Sequence, residues 1–478
     1  MRPELDEPTL FRAAELAVDY LRRMPDLPVR EQASLGDLRA ALRVPLNDAP
    51  LDPIDVVQEL VSAAEPGCVQ IQSPRYFGFV IGGSTEAAIA ADWLTSTWDQ
   101  NAGGYPCGPS AGVVEEAVGE WMLDLLGLPP ESGVGLTTGC QMAHFACLAA
   151  ARYRKLAETG WDVESDGLFG APPLRVIAGA HAHATVFAAL RMLGLGSNRT
   201  EIVDCDDQGR MMPGALARIL REGEGPAIVI AQAGEINTGA MDPFPQIADA
   251  VHEHGAWLHV DGAFGLWAAA SPKLRARVEG VERADSWATD GHKWLNVPYD
   301  CGFAIVRDCD AQRAALSSFS GAQYIPPPVQ DERFNAAWVP EFSRRARGFP
   351  VYVAIRALGR QGIAELVDRC CDCARTMASA LADIEGAEVL NDVTLNQVLV
   401  RFRRDGVNVS GEVLRAIQDD GTCWVSGSIW EGEPVVRISV SNWRTTTDDI
   451  RRSAQAIANC IAQAETRRFA ESTTTSDS

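Results

Sequence analysis

Lys293 is the amine in this 478-residue chain best placed to act as a nucleophile. It stands in Asp285-Ser286-Trp287-Ala288-Thr289-Asp290-Gly291-His292-Lys293-Trp294, after the strand-like run Ser286–Thr289 and before a second, Gly302–Val306. A lysine in such a setting can form an imine with a carbonyl compound. Asp261 follows the apolar run Trp257-Leu258-His259-Val260 directly, which puts a carboxylate at a strand end. His181-Ala182-His183 follows another run, Leu174–Ala178. Gly139-Cys140-Gln141 ends the glycine- and threonine-rich turn that begins at Gly133, and opens an alanine-rich helix through Arg152. Amides at a helix start have no partner inside the helix and favour an anion. No Gly-Lys-Ser or Gly-Lys-Thr follows, so the turn is not a nucleotide P-loop.

Each of these residues also has an ordinary structural use. A lysine among aromatics is usually a surface residue, an aspartate after a strand is usually a turn former, and a His-x-His pair is structural or a metal ligand. Their combination matches one cofactor. Pyridoxal phosphate needs a lysine for the imine, a carboxylate to keep the pyridine nitrogen protonated, donors for the phosphate, and a flat side chain over the ring. Lys293, Asp261, the Gly139-Cys140-Gln141 turn and His183 can fill these roles in that order.

For that to happen, distant residues must converge. Apolar runs at Leu174–Ala178, Ile202–Val203, Ala227–Ala231, Trp257–Val260, Ser286–Thr289 and Phe303–Val306 read as strands, several buried on both faces. Helical segments Thr185–Leu193, Pro213–Leu220 and Pro245–His254 alternate with them, the last capped by Gly255. The pattern predicts an α/β fold with a mostly parallel sheet. Ligands of such sheets gather at the carboxyl ends of the strands, where these residues stand. Residues 1–60 read as a helical arm broken by prolines, with Leu10, Ala13, Ala14, Ala17 and Leu21 on one face, suited to packing on a partner subunit. Residues 61–375 form the expected large domain, 376–464 a smaller α+β domain, and 465–478 a polar, disordered tail. Residues 316–348 read as a loop region, with the basic run Ser343-Arg344-Arg345-Ala346-Arg347-Gly348 as either an interface cluster or an anion site.

The composition is that of a soluble globular protein, 46% hydrophobic and 22% charged. Sixty-four acidic against 42 basic residues give a net charge of −22, which disfavours nucleic acid and anionic membranes as partners. Neither a secretory signal nor a run of transmembrane length stands out, and the twelve cysteines form no disulfide framework. A cytoplasmic enzyme is expected. Cys370-Cys371-x-Cys373 lies in a helical pattern without a second paired motif, so no metal is expected there.

The segments SPRYFGF, GLTTGCQMAHFACLAAAR, HATV, HVDGAFG, DSWATDGHKWLNVPYDCG and VRISVSNWRTTTDDI resemble, in order and across most of the chain, the group II pyridoxal-phosphate-dependent amino-acid decarboxylases. That family includes the aromatic L-amino acid, glutamate and histidine decarboxylases. The resemblance implies a fold-type I, aspartate aminotransferase-like large domain, an N-terminal arm, a small C-terminal domain, and a homodimer with the active site at the interface. By the same resemblance Lys293 is the Schiff-base lysine, Asp261 the pyridinium partner, Ala263 the small residue under the ring, and His183, rather than His181, the stacking histidine. Gly139, Cys140 and Gln141 match the phosphate turn, His292 sits beside the lysine, and Thr238 or Asn237 falls near the ring. Tyr324 matches the loop tyrosine that returns a proton after carbon dioxide leaves. Relatives with phenylalanine there make aldehydes, so the tyrosine favours decarboxylation to the amine. Aldehyde synthesis, transamination, carbon–carbon lyase chemistry or a non-catalytic homologue are the alternatives. Tyr76, Phe79, Val80 and Tyr105 suggest a pocket for an aromatic or apolar side chain. Arg75 could meet an acidic one, although an outward-facing arginine is the plainer expectation.

Overall fold

The computed structural model describes residues 5–317 and 333–474, as backbone only from 463. The chain divides into two compact units, residues 82–375 with 390–399, and residues 1–81 with 376–389 and 400–478.

The first unit is built on a seven-stranded sheet. Its strands are β1 (Gly133–Thr137), β2 (Arg175–Gly179), β3 (Thr200–Val203), β4 (Ala227–Gln232), β5 (Trp257–Asp261), β6 (Ser286–Asp290) and β7 (Gly302–Val306). Their spatial order is β1-β7-β6-β5-β4-β2-β3. The pairs from β6 through β5, β4 and β2 to β3 are parallel, while β7 runs antiparallel to both β6 and β1. The mostly parallel α/β expectation therefore holds, with one reversed strand.

Burial explains the composition of the central strands. β4 and β5 are buried at every position, as strands with parallel neighbours on both sides are. The helix Cys140–Ala157 packs on the sheet through Ala143, Ala146, Cys147 and Ala150, in one core with Val176, Ile228, Ala288 and Ala304. Small side chains let that helix lie close to the strands. The helix Phe244–Glu253 ends as expected, with Gly255 at φ +59° and its amide bonded to the His252 carbonyl.

β1 was not anticipated. Gly133-Val134-Gly135 reads as a turn in sequence, yet it is an all-buried strand paired with β7. Its glycines answer a steric demand. A Cβ on Gly133 would lie 2.2 Å from the Trp338 ring, and one on Gly135 would lie 2.4 Å from the Trp338 carbonyl oxygen. The turn proper is Thr138-Gly139.

The second unit contains β8 (Ala387–Val389), β9 (Gln397–Arg404) from Val400 on, β10 (Val407–Asn408), β11 (Ser426–Trp430) and β12 (Glu433–Ser439), in the order β10-β9-β12-β11 with β8 on β9. The helix Ser410–Asp420 and the helix Thr447–Thr474 complete its α+β character. Tyr76 stacks on Trp424 at 5.1 Å and 11°, and Phe79 tilts against the same indole at 5.4 Å. Among the described residues no helix is long and apolar enough to cross a membrane.

Candidate active site

Pairing register brings the strand ends together. Asp261, last in β5, lies beside Ala288 of β6 and Gln232 of β4. Asp290, last in β6, pairs with Gly302, which pairs in turn with Thr137 at the end of β1. His183 follows β2 and is the N-cap of the helix Ala184–Met192. These ends border a cavity of about 250 Å³. Lys293, Asp261, Ala263, His183, His292, Gly139, Cys140 and Gln141 all line it.

Lys293 Nζ lies 3.1 Å from Asp290 Oδ2. Burial alone would push the ammonium pKa down. Asp290 foremost, with Asp261 among the other contributors, outweighs burial and holds it above the usual value. Asp290 is largely occupied: its Oδ1 accepts the Cys140 amide at 2.7 Å and lies 3.6 Å from His292 Nε2. One buried carboxylate thus joins the start of the helix Cys140–Ala157 to the lysine. The sequence reading assigned it no role, although it lies three residues before Lys293 at a strand end.

Asp261 accepts the Ala263 amide at 3.1 Å on Oδ1, while its Oδ2 lies 3.4 Å from His144 Nε2. Burial would raise its pKa, but His144, His183 and Lys293 outweigh burial and keep the carboxyl well below the usual range. His183 Nδ1 sits 2.7 Å from Thr185 Oγ1, which fixes the ring at its helix start. His292 Nδ1 accepts the Cys301 amide at 3.1 Å, and its ring stacks on Tyr299 at 4.3 Å. Burial pushes the Tyr299 phenol up; Lys293 opposes this and Asp290 adds to it.

Two glycines permit the close approach. A Cβ on Gly302 would fall 2.5 Å from Gly139 Cα, and one on Gly82 would fall 1.6 Å from the Lys293 carbonyl oxygen. Larger residues at either position would displace the turn or the lysine.

This donor set fits pyridoxal phosphate. It offers a partly buried lysine, an ionised carboxylate, a fixed imidazole and a helix N-terminus on one cavity. Cys140 Sγ, His144 and Asp261 also come within 4.8 Å of one another, a spacing open to a metal. Burial, with Asp290 and Asp261 adding to it, pushes the Cys140 thiol pKa up. Cys370, Cys371 and Cys373 are buried and outside any disulfide.

Other expected site residues lie elsewhere. Thr238 does not line the cavity: its hydroxyl bonds the Gln208 carbonyl at 2.7 Å, in a turn organised by the buried Glu235 carboxylate, and Ile236 lines the cavity instead. Tyr76, Phe79 and Val80 belong to the other unit, with Tyr76 and Val80 buried and Phe79 exposed. Tyr105 is at the surface and outside the lining. Tyr324 lies outside the described residues. Arg75 does not face outward. It is buried, its Nε donates to the Thr422 carbonyl at 2.7 Å, and Asp449 lies 3.8 Å from its Nη1. The basic run is already neutralised: Arg344 pairs with Glu115, Arg345 with Asp92 and Arg347 with Asp300. Those pairs favour a structural role over anion binding.

The fold, with a carboxylate at the end of one strand and a lysine just past the end of its parallel neighbour, defines the class, a fold-type I pyridoxal-phosphate-dependent enzyme. Residues 36–404 match the family model of the pyridoxal-dependent decarboxylase conserved domain. The chain belongs to that family and is a pyridoxal-phosphate-dependent amino-acid decarboxylase. It is 25% identical over 458 residues to the aromatic-L-amino-acid decarboxylase of Bacillus atrophaeus, covering 92% of each chain. It is 29% identical over 331 residues to the acidic amino acid decarboxylase of Xenopus tropicalis, covering 67% of this chain and 63% of that one. The crystal structure of Oryza sativa TDC with PLP and tryptamine shares the fold, with a TM-score of 0.89 at 23% identity, over 97% of this chain and 99% of that one.

Proposed function

We propose that this decarboxylase acts on an L-amino acid with an aromatic or apolar side chain and releases the amine and carbon dioxide. The observation that supports this is the charge of the cavity. Lys293 is the one lysine or arginine among the described residues lining it, and two carboxylates, Asp261 and Asp290, line it as well. An acidic side chain would meet repulsion there with no second cation to offset it. Phe264 and Ile236 add apolar wall.

Bound pyridoxal phosphate supplies an electrophilic carbon and an electron-accepting ring. Lys293 holds the cofactor and gives way to the substrate amine. Asp261, held ionised, would accept from the protonated ring nitrogen and keep that proton in place. With the Cys140 amide held by Asp290, the remaining amides and side chains of the Gly139–Gln141 turn would hold the phosphate, and His183 would supply the flat side chain against the ring. The Cα–carboxylate bond breaks, carbon dioxide leaves, and a proton takes its place on Cα. Tyr324, with His183 as relay, is the expected source of that proton. We further propose a cytoplasmic homodimer, supported by the apolar residues that the described chain leaves exposed on its first helices. Leu10 and Phe11 on the helix Glu7–Arg23 are 60% and 68% exposed.

The test is a screen of all L-amino acids for carbon dioxide, amine, ammonia and hydrogen peroxide. Amine from aromatic or apolar substrates, lost with Lys293→Ala together with the cofactor's visible absorbance, is expected. Preferential turnover of aspartate or glutamate would overturn the substrate class. Ammonia and peroxide in place of amine would move the reaction to aldehyde synthesis.

A further inference from the structure

Behind Asp261 a line of buried side chains runs away from the cavity. Asp261 Oδ2 lies 3.4 Å from His144 Nε2. His144 Nδ1 lies 2.9 Å from His259 Nε2, and His259 Nδ1 lies 2.9 Å from Ser286 Oγ. Trp257 Nε1 donates to the same Ser286 oxygen at 2.9 Å. His144, His259 and Ser286 are fully buried and Trp257 nearly so. None of the four lines the cavity.

The chemistry of the groups orders the protons along this line. An indole N–H donates only, so Ser286 Oγ accepts from Trp257. Among the described residues, the serine hydroxyl's own hydrogen has one acceptor in reach, His259 Nδ1. His259 then carries its proton on Nε2 and donates to His144 Nδ1. His144 carries its proton on Nε2, facing Asp261 Oδ2. The reverse order would set a bare imidazole nitrogen against a carboxylate oxygen in a dry interior, two acceptors without a proton between them, which is costly. An extra proton on His144 would still leave Nε2–H as the donor, but would take the serine's acceptor away. His144 Nε2 is buried without a closed hydrogen bond among the described residues, and Asp261 Oδ2 faces it at 3.4 Å. Burial, with His144 adding to it, pushes the His259 pKa down to about 3, so His259 stays neutral.

We infer that His144, oriented by His259, Ser286 and Trp257, is a positioning residue that donates to Asp261 and holds it as an ionised acceptor for the cofactor's ring nitrogen. A carboxylate that already accepts a hydrogen bond is a weaker base. It therefore competes less for the ring-nitrogen proton, and the ring keeps its electron-accepting form. The inference rests on Asp261 being the ring-nitrogen partner. It reaches beyond the cavity, to two histidines that substrate does not touch.

The test uses the full chain with His144→Leu, His144→Gln and Asp261→Asn. In cofactor-free wild type, imidazole ¹⁵N spectra are expected to show both His144 and His259 protonated on Nε2. His144→Leu is expected to weaken pyridoxal phosphate binding by about tenfold to a hundredfold, the range for a hydrogen bond to a charged group. It should also shift the ¹⁵N signal of the labelled ring nitrogen toward the unprotonated form. His144→Gln, whose amide can donate to Asp261 and accept from His259, should restore both to near wild type. A proton on His144 Nδ1 in the wild type overturns the inference. So does a His144→Leu variant with unchanged affinity and ring-nitrogen signal while Asp261→Asn alters both. If Asp261→Asn also changes neither, the assignment of Asp261 itself fails. Should His144→Leu not fold, the wild-type tautomers and the glutamine variant decide.

Discussion

Asp290 shows how one buried side chain sets the state of another. Its carboxylate faces the Lys293 ammonium at 3.1 Å and holds the Cys140 amide at 2.7 Å. Burial favours a neutral lysine; Asp290 reverses the sign and keeps the amine charged. A neutral amine is the nucleophile, so the aspartate restrains the reactivity of Lys293 until the cofactor arrives. Asp290→Asn removes the charge but retains an acceptor for the amide. The pH profile for association of pyridoxal phosphate with the cofactor-free protein should then move to lower pH, read by stopped-flow absorbance. An unmoved profile would mean that Asp290 does not set Lys293. This carboxylate stood in plain view three residues from the lysine, but nothing in its type or spacing told a turn former from a lysine partner. Asp261 stood out because it directly follows the strand-like run Trp257–Val260.

At the scale of elements, the reversed strand β7 matters most. It enters between β6 and β1, so its first residue, Gly302, meets the last residues of both neighbours. There the chain passes against the Gly139 backbone, and a methyl group would sit 2.5 Å from the Gly139 Cα. Because backbone rather than a flexible side chain would have to move, Gly302→Ala should cost about 1–3 kcal/mol, as overpacking does. It should also weaken pyridoxal phosphate binding, since the Gly139 turn, proposed to hold the phosphate, is what shifts. Urea unfolding and a cofactor titration check the two parts, and an unaffected cofactor affinity would detach Gly302 from the site. The parallel strands were readable from alternating apolar runs and helices. β1 was not, because glycines demanded by the packing of Trp338 look in sequence like a turn.

For the whole molecule, charge and exposed apolar surface point in different directions. A net charge of −22 keeps chains apart in solution. Yet the helix Glu86–Trp98 leaves the neighbouring Trp93 and Leu94 41% and 47% exposed. The proposed homodimer would cover it. Trp93→Glu with Leu94→Glu should shift the protein toward monomer in analytical ultracentrifugation, while circular dichroism stays unchanged. A dimer of undiminished stability would remove this helix from the interface.

Sequence alone determined the cofactor and the mostly parallel sheet, and it proposed Lys293, Asp261, His183 and the Gly139 turn, which line one cavity. It could do so because strand ends in such sheets share one edge, and because few chemistries need an amine, a carboxylate, a flat ring and free amides together. Tertiary structure decided what depends on neighbours remote along the chain. It set Asp290 between an amide and an ammonium, buried Arg75, and turned Thr238 away from the cavity. It also aligned His144 with His259, residues 115 positions apart. Hydrogen-bond partners of a buried group are fixed by packing across the sheet, and no local spacing records them.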